Sequence, residues 1–300
     1  MNLEELDNLL TEELSWRRSE INRLQQAAES SLVEGEDRIH AALNKSLTLL
    51  IYSHWEGFIK KIALIYLQYV SDQTCLINDL SMNFKILSLR KSIKKLSNAT
   101  PKDESKTIKM TSVLTYLDEY NAVISGNFFV KTHYDDPEKY KNNQLINTES
   151  NLNAGVFSTI LENLGMNLHP YYLEILDPPF RSYLQSEDDK SLIAQIVDQT
   201  LLKCRNHNAH GRENSAHAVL EFEILKHLKQ IILVMMQQFK DDVSEFASNE
   251  YYLQSKQSEK SIYEVQANTD LKTAISIILT QFKEMEAENQ ILESGVSAVP

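Results

Sequence analysis

The near-absence of chain-breaking residues is the feature of this sequence that most restricts its fold. No proline lies between Met1 and Thr100 or between Phe180 and Val299, and the 300 residues contain only seven glycines. β-Sandwiches and β-barrels need frequent turns that contain glycine and proline. The scarcity of both residues therefore argues against these folds and favours long helices. We therefore expect an all-α protein.

Apolar residues recur at steps of three and four along most of the chain, which is the spacing of one helix face. Only Arg17 interrupts the apolar stripe of the first helix, and Gly165 is placed to end a later one. Ser186 and Ser215 stand where two further helices are predicted to start. The predicted helices cover residues 2–30, 37–70, 82–96, 110–124, 151–164, 186–206, 215–246 and 270–292.

These elements divide the chain into three predicted parts. Residues 1–32 form an N-terminal amphipathic helix, and residues 33–246 form a helical domain with a polar insertion around 126–150. Within residues 247–300, the stretch up to residue 268 is rich in Ser, Gln and Lys and forms a linker or a weak helix, and a C-terminal amphipathic helix follows it. The two terminal helices are therefore predicted as additions to a central bundle.

The charge distribution is acidic overall and basic in one segment. The formal net charge of −12 argues against a basic nucleic-acid wrapper, although it permits a local basic groove. Residues 85–109 carry eight basic and two acidic side chains, a local charge of +6. Such a run is usually a solvated face, but its contrast with the acidic background makes Lys91, Lys94 and Lys95 candidates for RNA-phosphate contact.

The remaining composition limits the cellular setting. Cys75 and Cys204 fit neither a disulfide framework nor a zinc-knuckle spacing. The first residues are acidic, unlike the basic start of a signal peptide, and no stretch is long and apolar enough to span a bilayer. We expect a cytoplasmic protein that does not contact a membrane.

The segment from Cys204 to Arg212 concentrates two imidazoles, two guanidiniums and two amides between two apolar helices. Polar density at a helix junction has to be solvated, partnered or functional. Arginine holds phosphate bidentately, and histidine accepts and donates a proton near neutral pH. Together they suit metal-independent RNA cleavage, in which the 2′-OH is deprotonated, attacks the adjacent phosphate and leaves a cyclic phosphate and a 5′-OH.

The spacing of Arg205 and His210 allows two geometries. On one continuous helix they would lie about 140° apart and would not share a face. A helix that ends near Asn206 lets the turn bring His210 back towards Arg205, or a symmetric partner chain supplies the missing group. Arg212 and His217 repeat the spacing, but the Arg205 pair is preferred because it lies at the helix junction.

Simpler interpretations of this segment remain open. Arg205 and His210 would also suit the C-terminal end of a surface helix, where a cation is favoured. A zinc site from His207, His210 and His217 is disfavoured because no helical pairing and no cysteine pair accompany them. The sequence contains no Gly-rich phosphate loop, HExxH, GxSxG or calcium loop, and we predict neither a metal nor a cofactor.

Three stretches carry a resemblance to a known family. Arg205-Asn206-x-x-x-His210-Gly211 resembles the Arg-x4–6-His signature of the HEPN superfamily. Residues 52–60 and the helix start at 151–153 are similar to its MAE-like stand-alone bacterial branch, and the resemblance covers about 33–239. It implies a helical bundle that dimerises and places two Arg/His pairs in one cleft that cuts RNA without metal.

The resemblance also implies residue roles. Arg205 and His210 match the two central positions, Asn206 matches the polar residue that often follows the arginine, and Glu56 falls where members often carry an acidic residue. His207 and Arg212 join the lysines as predicted RNA contacts. In the subfamily silenced by nucleotidylation a tyrosine stands where this chain has Arg212, so control by AMP transfer is not expected.

The predicted function is that of a metal-independent endoribonuclease toxin from a toxin–antitoxin or anti-phage system, with tRNA as a candidate substrate. Its predicted partners are RNA, a second copy of the chain, and an antitoxin or defence-system protein. Two alternatives stay open at this point. One is a non-catalytic helical module that binds RNA, a nucleotide or a partner protein, and the other is a metal-dependent hydrolase.

Overall fold

The computed structural model describes residues 1–99, 110–140, 145–148, 151–167, 191–209 and 220–296. Within these ranges the chain is helical and its β-pairing is limited to isolated bridges, such as the one between Leu76 and Asn127, so the predicted all-α class is confirmed. None of the helices in these ranges combines the length and apolar character needed to cross a bilayer. The helices are α1 Leu3–Val33, α2 Asp37–Asp72, α3 Met82–Ala99, α4 Met110–Ile124, α5 Pro137–Tyr140, α6 Ala154–Leu164, a π-helical segment Ala194–Leu202, α7 Lys203–Ala209, α8 Phe222–Ser248 and α9 Gln257–Val296, with 3-10 turns at Ile77–Asp79 and Gln254–Lys256.

Helix α2 is the centre of the bundle. It contacts α1, α8, α6, α7 and the π-helical segment, so its apolar side chains are buried on several faces rather than on one stripe. Trp55, Phe58, Ile62 and Tyr66 are fully buried. Complete burial of one such side chain stabilises the fold by about 1.5–3 kcal/mol relative to exposure, so α2 contributes much of the core.

Helix α1 packs along α2 and α8 through the narrow stripe that the sequence predicts. Leu6, Leu10, Leu14 and Ile21 are buried, whereas the other side of α1 faces solvent. The turn into α2 passes through Gly35, whose φ of +75° lies in the left-handed region that favours glycine. The N-terminal segment is therefore an integral layer of the bundle.

Helix α6 is short and is held at both ends. At its start the Asn153 side chain accepts a hydrogen bond from Val156 N at 2.9 Å. Gly165 ends the helix at a φ of +74°, as the sequence predicts, and its carbonyl accepts a 2.7 Å hydrogen bond from the Lys260 ammonium. The Asn83 amide donates to the Asn163 carbonyl at 3.0 Å, so α3 and α9 both contact this end of α6.

Of the two alternatives predicted for 247–268, a linker or a weak helix, the structure shows a helix from residue 257 onwards, where α9 starts. Although this stretch is rich in Ser, Gln and Lys, Lys260 and Ala267 within it are buried, and the buried stripe continues with Leu271. The Tyr263 hydroxyl donates to the Asp242 carboxylate at 2.8 Å, which ties α9 to α8. A buried lysine stem and a tyrosine ring pack as apolar groups although hydropathy treats both as polar.

Two predicted helix ends also differ from the structure. Helix α8 begins at Phe222, and Leu220 and Glu221 are not helical, because the Asn44 amide donates to the Leu220 carbonyl at 2.8 Å. Helix α7 runs to Ala209 and so passes the end predicted near Asn206. The predicted starts at residues 186 and 215 lie outside the described ranges.

Candidate functional site

Arg205 lies in the first turn of α7, directly after the π-helical segment. In that segment the Thr200 hydroxyl donates to the carbonyl of Gln195, five residues earlier, at 2.8 Å. π-Helical turns are rare and occur frequently at functional sites. Asp198 and Arg205 lie seven residues apart, and both contact the residues that lead into α6.

Neutral groups hold the Arg205 guanidinium. Its Nη1 donates to Asn151 Oδ1 at 3.0 Å and to Asn206 Oδ1 at 2.8 Å. Its Cζ lies 5.4 Å from the centroid of the buried Tyr52 ring, within the range of a cation–π contact. No carboxylate of the described residues lies within ion-pair distance of it. Among the described residues, the guanidinium is thus held by uncharged groups and has no carboxylate within ion-pair distance.

The position of Asn151 is set by the start of α6. Asp198 accepts a 2.9 Å hydrogen bond from Ala154 N, and Asn153 caps the same helix. Leu152, between the two asparagines, is fully buried. Because its neighbours are anchored, Asn151 presents its amide to Arg205 from a rigid segment rather than from a free loop.

Glu56 and Lys60 follow Tyr52 on the same face of α2, at steps of four residues. Burial raises the pKa of Glu56, while a hydrogen bond from Thr148 and the charge of Arg205 oppose that shift. Burial lowers the pKa of Lys60, and the Glu56 carboxylate opposes it. The half-buried site therefore holds two cations and one carboxylate whose charges act on one another.

The structure brings three of the predicted catalytic residues together. Asn206 contacts Arg205 directly, and Glu56 lies close enough for the two side-chain charges to interact. His207 is partly buried on the same helix. His210, Arg212 and His217 lie outside the described residues, so the Arg/His geometry stays a prediction.

The predicted RNA-binding lysines lie on a different element. Lys91, Lys94 and Lys95 are exposed on α3, and Lys95 forms a 3.0 Å ion pair with Glu119 of α4. Helix α3 starts beside the C-terminal end of α6, whereas Arg205 contacts the residues before its N-terminal end. Across the described ranges, no hydrogen bond or ion pair joins these lysines to Arg205.

Several residues of the site were missed as site residues by sequence analysis. Tyr52 and Asn151 entered it only as parts of a resemblance, and Lys60, Thr148 and Asp198 carried no functional prediction. The sequence did contain one signal for Asn151. A helix start needs only one capping asparagine, so with Asn153 as the cap the side chain of Asn151 remains available for another contact. Within the described part of the chain, no group of three or more His, Cys, Asp or Glu side chains is arranged to hold a metal ion.

An all-α bundle with an arginine-centred polar site beside its central helix is consistent with a HEPN domain. The family model of MAE_28990-like HEPN proteins matches residues 6–252, and the chain belongs to this family. The match begins in α1 and ends before α9, so it includes the N-terminal helix that our narrower resemblance omitted. No curated protein and no solved structure matches the chain. Family membership indicates a nuclease or an RNA-binding-related role.

Proposed function

We propose that this protein is a metal-independent endoribonuclease that acts as a homodimer. The supporting observation is the Arg205 guanidinium, which two amides and an aromatic ring hold in place without a carboxylate partner among the described residues. A cation held in this way is already oriented when a phosphate arrives, and it does not have to break an ion pair first. HEPN domains interact with RNA and often dimerise, in agreement with this proposal.

In the proposed reaction Arg205 binds the scissile phosphate and stabilises the negative charge that develops on it. The imidazole of His210 accepts the proton of the 2′-OH, whose oxygen then attacks the adjacent phosphorus. An imidazolium, supplied in the dimer by the second copy of His210, protonates the leaving 5′-oxygen. The products are a 2′,3′-cyclic phosphate and a 5′-OH, so protons and charge balance without a metal ion.

The other predicted residues have supporting roles in this proposal. Asn206 orients Arg205, and Glu56 modulates the electrostatic potential at the guanidinium. His207 and Arg212, with the exposed lysines at 91, 94 and 95, contact the RNA backbone. We further propose a toxin of a toxin–antitoxin or anti-phage system, active on tRNA and silenced or triggered by a partner protein.

The test is incubation of the purified protein with total tRNA in the presence of EDTA. We expect chelation-insensitive cleavage that ends in a cyclic phosphate. His210→Ala should lower the rate by about 10²–10⁴-fold and abolish growth inhibition, because it removes the proton-transfer group. His217→Ala is the matched control, since it alters the second copy of the same spacing. Parental cleavage by the His210 variant would exclude the mechanism.

The second candidate function is RNA binding without cleavage. The acidic net charge favours it, because an acidic protein that binds RNA must rely on a restricted basic site. Binding of tRNA without cleavage, with or without Mg²⁺, would support this module. Cleavage that EDTA abolishes would instead identify a metal-dependent hydrolase.

A further inference from the structure

Helix α9 is longer than the helix that it covers. It contains 40 residues, whereas its antiparallel neighbour α8 contains 27. Leu271, Ile275 and Ile278 of α9 are buried. At 1.5 Å per residue, residues 284–296 extend about 20 Å beyond the first residue of α8. We call residues 284–296 the overhang.

The sequence of the overhang continues the seam of α9. Leu271, Ile275 and Ile278 follow the alternating four- and three-residue step of a coiled coil, and the same step continues along the helix. The overhang itself contains four glutamates and no basic residue. Acidic positions beside the seam disfavour pairing with an identical helix and favour a basic partner. The positions that continue the seam are Phe282, Met285, Asn289, Leu292 and Val296.

Helix α3 is the matching element. Met82, Ile86 and Ile93 lie within 40° of one another around the helix axis, with exposed fractions of 62%, 51% and 37%. The helix carries five basic residues and no acidic one. Lys85 and Arg90 flank the apolar row, whereas Lys91 and Lys95 lie on the opposite side of α3, and Lys94 lies next to Arg90, about 40° further around the axis. We call the side that contains Met82, Ile86 and Ile93, with Lys85 and Arg90, the α3 face.

The overhang cannot reach the α3 face of its own chain. Ser81 N donates to the Tyr252 carbonyl at 2.8 Å, and Leu80 bridges Leu253, so α3 starts beside the start of α9. The 18 residues of α3 span about 27 Å, whereas the overhang begins about 40 Å along α9. The two complementary surfaces can therefore meet only between two chains.

We propose that the overhang of one chain docks on the α3 face of a second copy, with its glutamates against Lys85 and Arg90. In a two-fold dimer this contact forms twice, and the second contact is favoured by the effective concentration that the first creates. The inference is independent of RNA cleavage. It also leaves Lys91 and Lys95 exposed on the far side of α3.

A charge swap tests the contact by sedimentation of the full chain. Lys85→Glu with Arg90→Glu, or Glu286→Lys with Glu288→Lys, should each weaken self-association about tenfold, because like charges then face each other. All four substitutions in one chain should restore it. Lys91→Glu with Lys95→Glu, on the far side of α3, is the matched control and should associate like the parent. Unchanged association in the two reversal variants, or no recovery in the combined variant, overturns the proposal.

Cross-linking gives a readout that does not depend on any other dimer contact. In a chain with Cys75→Ser and Cys204→Ser, Ile86→Cys is mixed with a second chain that carries Met285→Cys and treated with a flexible bis-maleimide. We expect a covalent dimer from the mixture and little from a mixture with Lys91→Cys in place of Ile86→Cys. Equal yields, or no dimer, overturn the proposal. Because neither readout involves RNA, Arg205 or His210, such a failure is distinct from a failure of the proposed nuclease.

Discussion

Two guanidiniums contact the central helix α2, and their partners differ. Arg17 of α1 lies over Trp16 at 4.3 Å, and Arg205 of α7 lies over Tyr52 at 5.4 Å. Arg17 is only 7% exposed, forms a 2.9 Å ion pair with Glu13 and lies 3.3 Å from His54 Nδ1. Arg205 is less buried, and its hydrogen bonds in the described residues go to amide oxygens.

The comparison distinguishes a guanidinium that is ion-paired within the fold from one that has no carboxylate partner among the described residues. A charge that leaves water must be compensated, and Glu13 compensates Arg17 within the fold. The amides that hold Arg205 accept hydrogen bonds from its Nη1 without cancelling its charge. Beside the same helix, Arg17 therefore has a carboxylate partner within ion-pair distance, whereas Arg205 has none among the described residues.

The largest expected effect is on catalysis by Arg205→Ala. Loss of the preorganised cation should lower the single-turnover rate of RNA cleavage by about 10²–10³-fold, as for removal of one group that stabilises transition-state charge. The free energy of unfolding should change little, because no ion pair among the described residues is broken. A variant as destabilised as the corresponding Arg17 variant would remove the distinction between the two sites.

Arg17→Ala should have the complementary result. It removes the 2.9 Å ion-pair partner of the part-buried Glu13, which keeps only the more distant Lys61 ammonium at 3.9 Å, so the free energy of unfolding should fall by about 3 kcal/mol. Chemical denaturation measures this loss, and cleavage by the folded fraction serves as the control. A normal unfolding midpoint would show that Arg17 is not the structural member of the pair.

A smaller effect is expected at Gly57, where α2 passes close to Arg17. A Cβ at this position would lie 3.1 Å from Arg17 Nη1, and Glu13 prevents the guanidinium from moving away. Gly57→Ala should therefore destabilise the parent by about 1 kcal/mol. With Arg17→Ala present, the same change should stabilise by up to about 1 kcal/mol through helix propensity, and a double-mutant cycle measures the reversal.

The smallest expected effect is a pH dependence at His54. Burial lowers the pKa of His54, the charge of Arg17 adds to this shift, and Glu20 opposes it. As the pH falls, His54 is therefore protonated in the unfolded chain before it is protonated in the folded one. The free energy of unfolding is greatest above about pH 6.5 and decreases below it. Unfolding free energies at several pH values should show a shallower acid loss in His54→Gln. An identical slope in both proteins would contradict this origin.

The sequence predicts the elements of the fold better than their ends. The bounds of α4 agree with the prediction, and α1, α2 and α3 agree within a few residues, because each has an apolar stripe along most of its length. The start of α9 was missed because Lys260 and Tyr263 bury apolar atoms in a stretch of polar composition. The start of α8 was misplaced because a distant side chain, Asn44, binds the backbone before it.

The same physical limit applies to the candidate site. Arg205 and Asn206 are apparent from the polar composition of one short segment. Tyr52 and Asn151 are not, because both reach Arg205 through tertiary packing that local periodicity does not encode. Asn151 is separated from Arg205 by 54 positions, and nothing in the spacing of either segment indicates the contact.

The two-ended attachment of α6 has a consequence for biosynthesis. Its 11 residues leave the ribosome before Asp198, which binds its first turn, and before Lys260, which binds its last carbonyl. Chains are made from the N-terminus, so a nascent polypeptide lacks both anchors and the guanidinium itself. The pocket therefore assembles only after residue 260 has been synthesised, and shorter nascent chains lack it.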